Sequence, residues 1–483
     1  MSRPSANHEA APGAAGGAAT VRGALAGLSL CMLLPSLGTS IANVALPAFA
    51  DVFAASFQQV QWIVLAYLLA NTTLIVSVGR LGDVLGRRRL LLAGLLVFTA
   101  ASVLCGLAPT LALLLAARAL QGIGAAALMA LTLSFVNGTV PKRDAGKAMG
   151  LLGTTSAIGT ALGPSLGGLL LDALGWPALF LVNVPLGLLA LWFIRRFLPA
   201  DGAAPQADRP RFDLPGTLLL AATLGAYALA MTTGRGRFGL FNAALLLAAA
   251  AGLALFLWVE AGAASPLIRP GLLRDPVLGA GLAMSALVSS VVMATLVVGP
   301  FYLGRVLGLA AAGVGLVLSA GPAAAALVGV PAGRLVDRHG ARRMSLAGLG
   351  GMGAGCLALS LVPAAWGVAG FVLPVVAVTA SYALFQAANN TGVMGEAGAE
   401  RRGVVSGLLG LSRNLGLITG ASLMGGVFAL AAGTVDFAAA PAEAVSAGLR
   451  ATFLAAAVLV GLALLIALGS RARRGAAAPQ GSA

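Results

Sequence analysis

"GRLGDVLGRRR", residues 79–89, sets five charges and three glycines into a chain otherwise dominated by Ala, Leu, Gly and Val. "GRLVDRHGARR", residues 333–343, writes the phrase a second time, 254 residues on, with seven of eleven positions identical. Gly79/Gly333, Arg80/Arg334, Asp83/Asp337, Gly86/Gly340 and the closing arginine pair are shared. A charged phrase kept twice in so apolar a chain asks what surrounds it. The chain is 59% hydrophobic and 9% charged, with a mean hydropathy of +0.97, whereas soluble domains average about a quarter charged residues. Apolar runs long enough to cross a bilayer, about 20 residues each, recur at 24–49, 58–79, 90–108, 110–136, 146–172, 177–198, 213–233, 238–259, 277–299, 312–332, 344–362, 367–391, 403–432 and 450–469. They predict an all-α membrane protein of fourteen spans, because hydrocarbon gives the backbone no partner outside its own helix. The short alternating segments of a β-barrel are missing.

The net charge of +15 has a membrane explanation. With the N-terminus inside, 24 of the 30 Lys and Arg fall on cytoplasmic loops or tails; Arg235, Arg237, Arg305 and Arg450 fall outside, and Arg118 and Arg413 lie within spans. That bias predicts both termini in the cytoplasm of a plasma membrane. Nucleic acid is excluded as a partner, since no basic soluble domain exists to hold it. Residues 1–22 read as a disordered cytoplasmic tail. A signal peptide ending at "AFA", 48–50, is the competing reading; the apolar stretch before it exceeds an h-region of about 7–15 residues, so a spanning helix is expected. Cys31, Cys105 and Cys356 all fall inside spans, and His8 and His339 are the only histidines. No metal site, cofactor or catalytic constellation follows, so the chain is not read as an enzyme.

Eight spans separate the two phrases, so both face one side of the membrane, as parallel structural repeats require. The expected organisation is a six-helix bundle at 23–198, a cytoplasmic linker at 199–212, an extra helix pair at 213–259, a second six-helix bundle at 260–469 and a tail at 470–483. In the phrase, Gly79, Gly82 and Gly86 permit a tight turn. Asp83, among Arg80, Arg87, Arg88 and Arg89, can form an ion pair that exists in one tilt of the helices and not another. Anchoring to lipid headgroups is the plainer reading of the three consecutive arginines. The residues assigned to a cytoplasmic gate are Gly79, Arg80, Asp83, Gly86, Arg87, Arg88, Gly333, Arg334, Asp337 and Gly340.

Five further motifs join the repeated phrase: "RALQGIGAA" (118–126), "GTALGPSLGG" (159–168), "NVALP" (43–47), "FLVNVPLG" (180–187) and "SGLLGLSRNLG" (406–416). With them nearly the whole chain resembles the major facilitator superfamily, and within it the fourteen-helix drug:proton antiporter branch. The resemblance implies a transporter that exports a small-molecule substrate by alternating access, in exchange for protons, as in multidrug or metabolite efflux. The stretch 159–168 matches the antiporter pattern G-x-x-x-G-P-x-x-G-G. On a helix Gly159, Gly163 and Gly167 share a bare face for close packing, flanked by Gly168, and Pro164 bends the helix at that level. A hinge and simple helix packing both fit this spacing. The branch carries an aspartate a few residues before N-V-A-L-P, where this chain has Gly38. Asp51, Asp83, Asp172, Asp213, Glu260, Asp275 and Glu396 fall at span ends or in loops.

Arg118 and Arg413 are thus cations inside spans, expected to face a polar interior. A cavity lined by them with Asn43, Tyr67, Asn71, Gln121, Gln386, Asn389 and Asn414 would repel lipophilic cations and favour neutral or anionic compounds. Helix-to-helix hydrogen bonding is the competing role for each polar residue. The rival functions are a facilitator or symporter of a neutral or anionic metabolite, and a non-transporting receptor or scaffold of the same fold. No feature points to an adaptor protein.

Overall fold

The computed structural model describes residues 13–139, 145–199, 213–233, 239–262, 275–396, 402–434 and 440–476. The first half of the chain folds as α1 (Gly13–Ser40), α2 (Leu46–Val52), α3 (Phe57–Leu85), α4 (Arg87–Gly106), α5 (Leu111–Thr139), α6 (Ala145–Leu174), α7 (Ala178–Leu181) and α8 (Asn183–Phe197). A pair follows, α9 (Leu214–Thr232) and α10 (Leu240–Gly262). The second half holds α11 (Pro276–Arg305), α12 (Ala311–His339), α13 (Ala341–Leu361), α14 (Gly367–Glu396), α15 (Arg402–Thr419), a π turn at Gly420–Met424, α16 (Gly425–Ala432) and α17 (Ala442–Ala476). Among the described residues twelve helices are long and apolar enough to cross a membrane; α3 and the shorter apolar stretch Leu214–Ala230 of α9 stand outside those twelve. Residues 13–22, expected in the tail, begin α1, and 470–476 extend α17. Residues 1–12 of the tail, 200–212 of the linker and 477–483 lie outside the described residues.

The repeated phrase makes the same corner twice. α3 stops at Leu85, Gly86 takes φ +95°, and α4 starts at Arg87. α12 stops at His339, Gly340 takes φ +86°, and α13 starts at Ala341. In each corner one glycine ends a helix and begins the next, its N–H donating back to the carbonyl of Gly82 (3.0 Å) or Val336 (2.8 Å). That backbone region is open to glycine and closed to residues with a Cβ. Gly79 and Gly82, expected to help the turn, lie inside α3 instead; a Cβ on Gly82 would sit 2.7 Å from Leu131, so its bareness serves packing on α5. The 254-residue register extends well beyond the phrase, since α3 and α12 are both 29 residues long and start at Phe57 and Ala311. Their first turns differ. Ser56 closes a capping box with Gln59 on α3, whereas the matching residue before α12 is Ala310, which has no side chain to cap with.

Within the first half α3 and α4 pack on α5, and α1 on α6 and α8; within the second, α13 packs on α14 and α17, and α11 on α15 and α17. The halves meet where α6 runs along α12 and α3 along α15. The pair α9–α10 bridges them. α9 is tied to α3 by Trp62 Nε1 donating to Thr232 Oγ1 (3.1 Å) and by Ser77 with Thr217 (Oγ to Oγ1, 2.7 Å), so the two helices run antiparallel. On its other side Leu220, Leu224 and Phe256 form an apolar cluster with Leu278, Val393, Val405 and Leu408. α10 buries Asn242, Ala249, Phe256 and Glu260 along one seam, while Leu240, Leu247, Leu253 and Leu255 are exposed, as on a helix bathed in lipid.

Replacing Gly86 or Gly340 by Ala forces a Cβ into a glycine-only corner and is expected to cost about 1–3 kcal/mol. Gly333, helical and with nothing within 4 Å of a built Cβ, behaves oppositely, Gly333→Ala gaining up to about 1 kcal/mol from helix propensity. Thermal unfolding in detergent distinguishes the signs; equal effects at the corner and at Gly333 would refute this reading of the phrase.

Candidate functional site

Arg118 stands in the third turn of α5 and is fully buried. Such a charge in a membrane protein must be met by acceptors, and three helices supply them. Nε donates to the carbonyl of Ile63 on α3 (2.8 Å), Nη1 to Oε1 of Gln121 (2.6 Å), and Nη2 to the carbonyl of Gly38 on α1 (3.2 Å). The guanidinium carbon lies 4.3 Å from the centre of the Tyr67 ring, a cation–π contact. Gln121 is held in turn, its Nε2 donating to Ser102 Oγ on α4 (2.8 Å), whose hydroxyl donates to Phe98 O (2.7 Å). Tyr67 donates to the carbonyl of Pro35 (2.8 Å). Pro35 sits inside α1, and its carbonyl also accepts the Thr39 hydroxyl (2.9 Å). These partners of the cation are all neutral. Gly38 contributes its carbonyl, and a Cβ there would lie 3.5 Å from both Tyr67 Oη and Phe98 Cζ. That spacing is ordinary contact, so a side chain fits.

The other predicted cavity residues are buried or half-buried, and several hold polar atoms without a partner. Asn43 donates from Nδ2 to Thr39 O (2.9 Å) while its Oδ1 is unmatched. Asn71 reaches only Met129 Sδ (3.7 Å), again with a free Oδ1. Gln386 donates to Tyr382 Oη (3.1 Å) with Oε1 unmatched, and Asn389 donates to Gly281 O (3.1 Å). Arg413, half-buried on α15, has an unmatched Nε, and Asn414 beside it is buried. Arg118, Gln121 and Tyr67 therefore share one network in the first half, whereas Gln386, Asn389, Arg413 and Asn414 belong to helices of the second. Buried polar atoms are ordinarily paired, and this many unmatched ones mark surfaces fit for a polar ligand. Gln58, buried on α3 with both amide atoms unmatched, belongs with them; as a glutamine in a first helical turn it gave no signal in the sequence.

The glycine face of α6 lies on α1. A Cβ on Gly159 would sit 2.8 Å from Leu33 O and one on Gly167 2.9 Å from Ile41 O, while one on Gly163 would overlap Ser40 Oγ. The next strip of α6 faces α12 in the other half, where a Cβ on Gly315 would overlap the Pro164 carbonyl and one on Gly168 the Ala311 carbonyl. α6 thus serves both partners at once. At the end of the molecule away from the repeated corners, Asp172 Oδ2 accepts the N–H of Ala312 (2.8 Å), supplying the N-terminal cap that Ala310 cannot. Gln61 of α3 reaches the carbonyl of Ala421 in the π turn (2.9 Å), and Phe57 meets Phe301 edge-on and Phe428 at a tilt across the same end. Toward the corners, a Cβ on Gly153 of α6 or on Gly329 or Gly333 of α12 would meet nothing within 4 Å. Of the predicted gate residues, Arg334 and Asp337 are exposed on α12, Arg80 and Asp83 lie within α3, and Arg87 and Arg88 open α4, where Arg88 Nη2 donates to Arg195 O (2.8 Å).

A carboxylate at position 38 would land beside Arg118. Gly38→Asp is therefore expected to leave stability within about 1 kcal/mol of the parent, while Gly38→Asp in an Arg118→Gln background buries an unpaired charge and loses about 3–5 kcal/mol. Unfolding of the four proteins in a double-mutant cycle measures the coupling, and additive effects would show that the two positions do not face each other.

A sequence profile of the Major Facilitator Superfamily matches residues 28–421 and 281–482. An uncharacterized transporter of Escherichia coli, YebQ, is 35% identical over 404 residues, covering 83% of this chain and 88% of its own. The multidrug resistance protein Stp of Mycobacterium tuberculosis is 35% identical over 414 residues, covering 83% and 74%. Among solved structures, a bacterial homolog of the human lysosomal transporter Spinster, inward-facing and unoccupied, superposes with a TM-score of 0.69 at 19% identity, over 94% of this chain and 97% of that one. The helices, the twice-made corner and these likenesses agree: the chain belongs to the Major Facilitator Superfamily, a multi-pass membrane transporter and not an enzyme.

Proposed function

We propose that this transporter exports small amphipathic compounds from the cytoplasm across the plasma membrane by alternating access, in exchange for protons. The bundles 23–198 and 260–469 move as units, the corner end faces the cytoplasm together with both termini, and with α9–α10 the chain spans the membrane fourteen times. The observation that carries the reading is the junction at the far end. It joins the halves through glycine backbone contacts, one aspartate cap, one glutamine and three phenyl rings, all of which can part without rebuilding either half. The likeness to Stp, whose name gives multidrug resistance, favours efflux.

The substrate lies between the halves, against the unmatched polar atoms of Asn43, Asn71 and Gln386 and the half-buried Arg413, with Asn389 and Asn414 beside them. Arg118, Gln121 and Tyr67 hold the wall behind. Cationic side chains without a buried carboxylate beside them select neutral or anionic compounds over lipophilic cations. Gly159, Gly163, Pro164, Gly167 and Gly168 form the hinge surface, and the two corner phrases, from Gly79 to Arg88 and from Gly333 to Gly340, gate the cytoplasmic mouth.

Flux into energised inverted vesicles tests the coupling. Accumulation of a neutral or anionic dye that collapses with an uncoupler is expected; equilibration indifferent to the uncoupler would make the protein a facilitator, and no flux a scaffold. Tight export of quaternary ammonium dyes would overturn the selectivity. A second measurement addresses the junction. Gly315→Val drives a side chain into the Pro164 carbonyl, so the far mouth cannot shut. Transport is expected to vanish with membrane insertion retained, and a cysteine replacing the buried Val314 should become more reactive than in the parent; an unchanged reactivity would refute the junction as a gate.

A further inference from the structure

The second half holds a cavity of about 350 Å³ at its corner end, ringed by α11, α13, α14 and α17. Its wall is small and apolar, built from residues such as Ala280, Gly281, Ala388 and Gly392, with buried Asn389 and Ser345 as polar points. At its mouth stands Arg342, exposed, from the second corner phrase.

The repeat supplies an internal comparison. Positions 254 residues earlier carry the same two markers, Gly27 for Gly281 and Arg88 for Arg342, but there the space is filled. Leu91 is fully buried where the second half has Ser345, and Phe135 packs on the core where it has Asn389. Arg88 spends its charge on the Arg195 carbonyl at the end of α8. The second half has lost the filling side chains and kept the arginine, now turned toward the opening.

Arg343, exposed, follows Arg342 beside the mouth. Two carboxylates stand nearby in sequence, Glu396 one turn past Gly392 and Asp275 before α11, the latter with Oδ1 already accepting the N–H groups of Val277 and Leu278. Basic pockets between membrane helices near the cytoplasmic surface suit anionic headgroups, and the apolar depth suits an acyl chain. We propose that this cavity binds one anionic phospholipid, its phosphate on Arg342 and part of one chain between α11 and α14.

The full-length protein in nanodiscs of phosphatidylcholine doped with phosphatidylglycerol tests the site, read by native mass spectrometry of the lipids retained. One retained phosphatidylglycerol is expected. Arg342→Gln should lower its occupancy about fivefold or more, the effect of losing one charge-assisted contact. Gly392→Leu, whose Cβ has room 3.6 Å from Ala341, should do the same by filling the space with the charge intact. Arg305→Gln, an exposed charge at the other end, should not change it. Equal retention by all variants, retention of phosphatidylcholine instead, or capture of free lauric acid without phosphatidylglycerol would each overturn the proposal. The readout is lipid binding, so it stands or falls apart from the transport direction proposed above.

Discussion

A guanidinium that cannot shed its proton sits sealed within lipid depth, and the first half is arranged around that requirement. Arg118 draws its acceptors from α1, α3 and its own helix, and Gln121 extends the network to α4. Moving any of these helices alone would strand a donor where water is scarce, at about 1–3 kcal/mol for each hydrogen bond left unmade, more for a charged group. The helices are therefore constrained to move together. Rigidity here comes from polar satisfaction more than from apolar packing, which in a membrane discriminates little between helix and lipid.

Against that rigid unit, the contacts between the halves are of another kind. Inside the first half the glycine face of α6 presses backbone against backbone on α1; across to α12 the approach is as close where Gly315 meets Pro164 and Gly168 meets Ala311. Close backbone contact without interlocking side chains resists shear weakly. α9 adds a bias, since two hydrogen bonds fifteen residues apart on each helix fasten it to α3, while leucines and a phenylalanine meet the second half. Greasy surfaces slide where hydrogen-bonded ones do not, so the extra pair suits travel with the first half.

Much of this was readable in the chain. The corner glycines were legible because a positive φ demands a residue type, and the pairing of Arg118 with Gln121 because helical spacing fixes it. Gly82 was misread as a turn residue, since a glycine needed for packing and one needed for a turn look alike until the neighbouring Leu131 is in place. The Ile63 and Gly38 carbonyls that hold Arg118 left no trace, because every residue has a carbonyl and sequence names only side chains. Asp172 was read as one more acid at a span end; its role depends on a helix 140 residues away. The unfilled cavity of the second half was invisible for the same reason, being defined by side chains that are missing.

The divergence of Ser56 from Ala310 gives the two lobes unequal springs. One lobe's helix start is self-sufficient in every state; the other's is complete only while its neighbour leans against it. Parting the mouth exposes the bare start of α12 to the surface, a tilt of about 1 kcal/mol toward shut. On the proposed alternating-access reading, that tilt favours the state whose corner side is open, and opening outward is the excursion that needs driving.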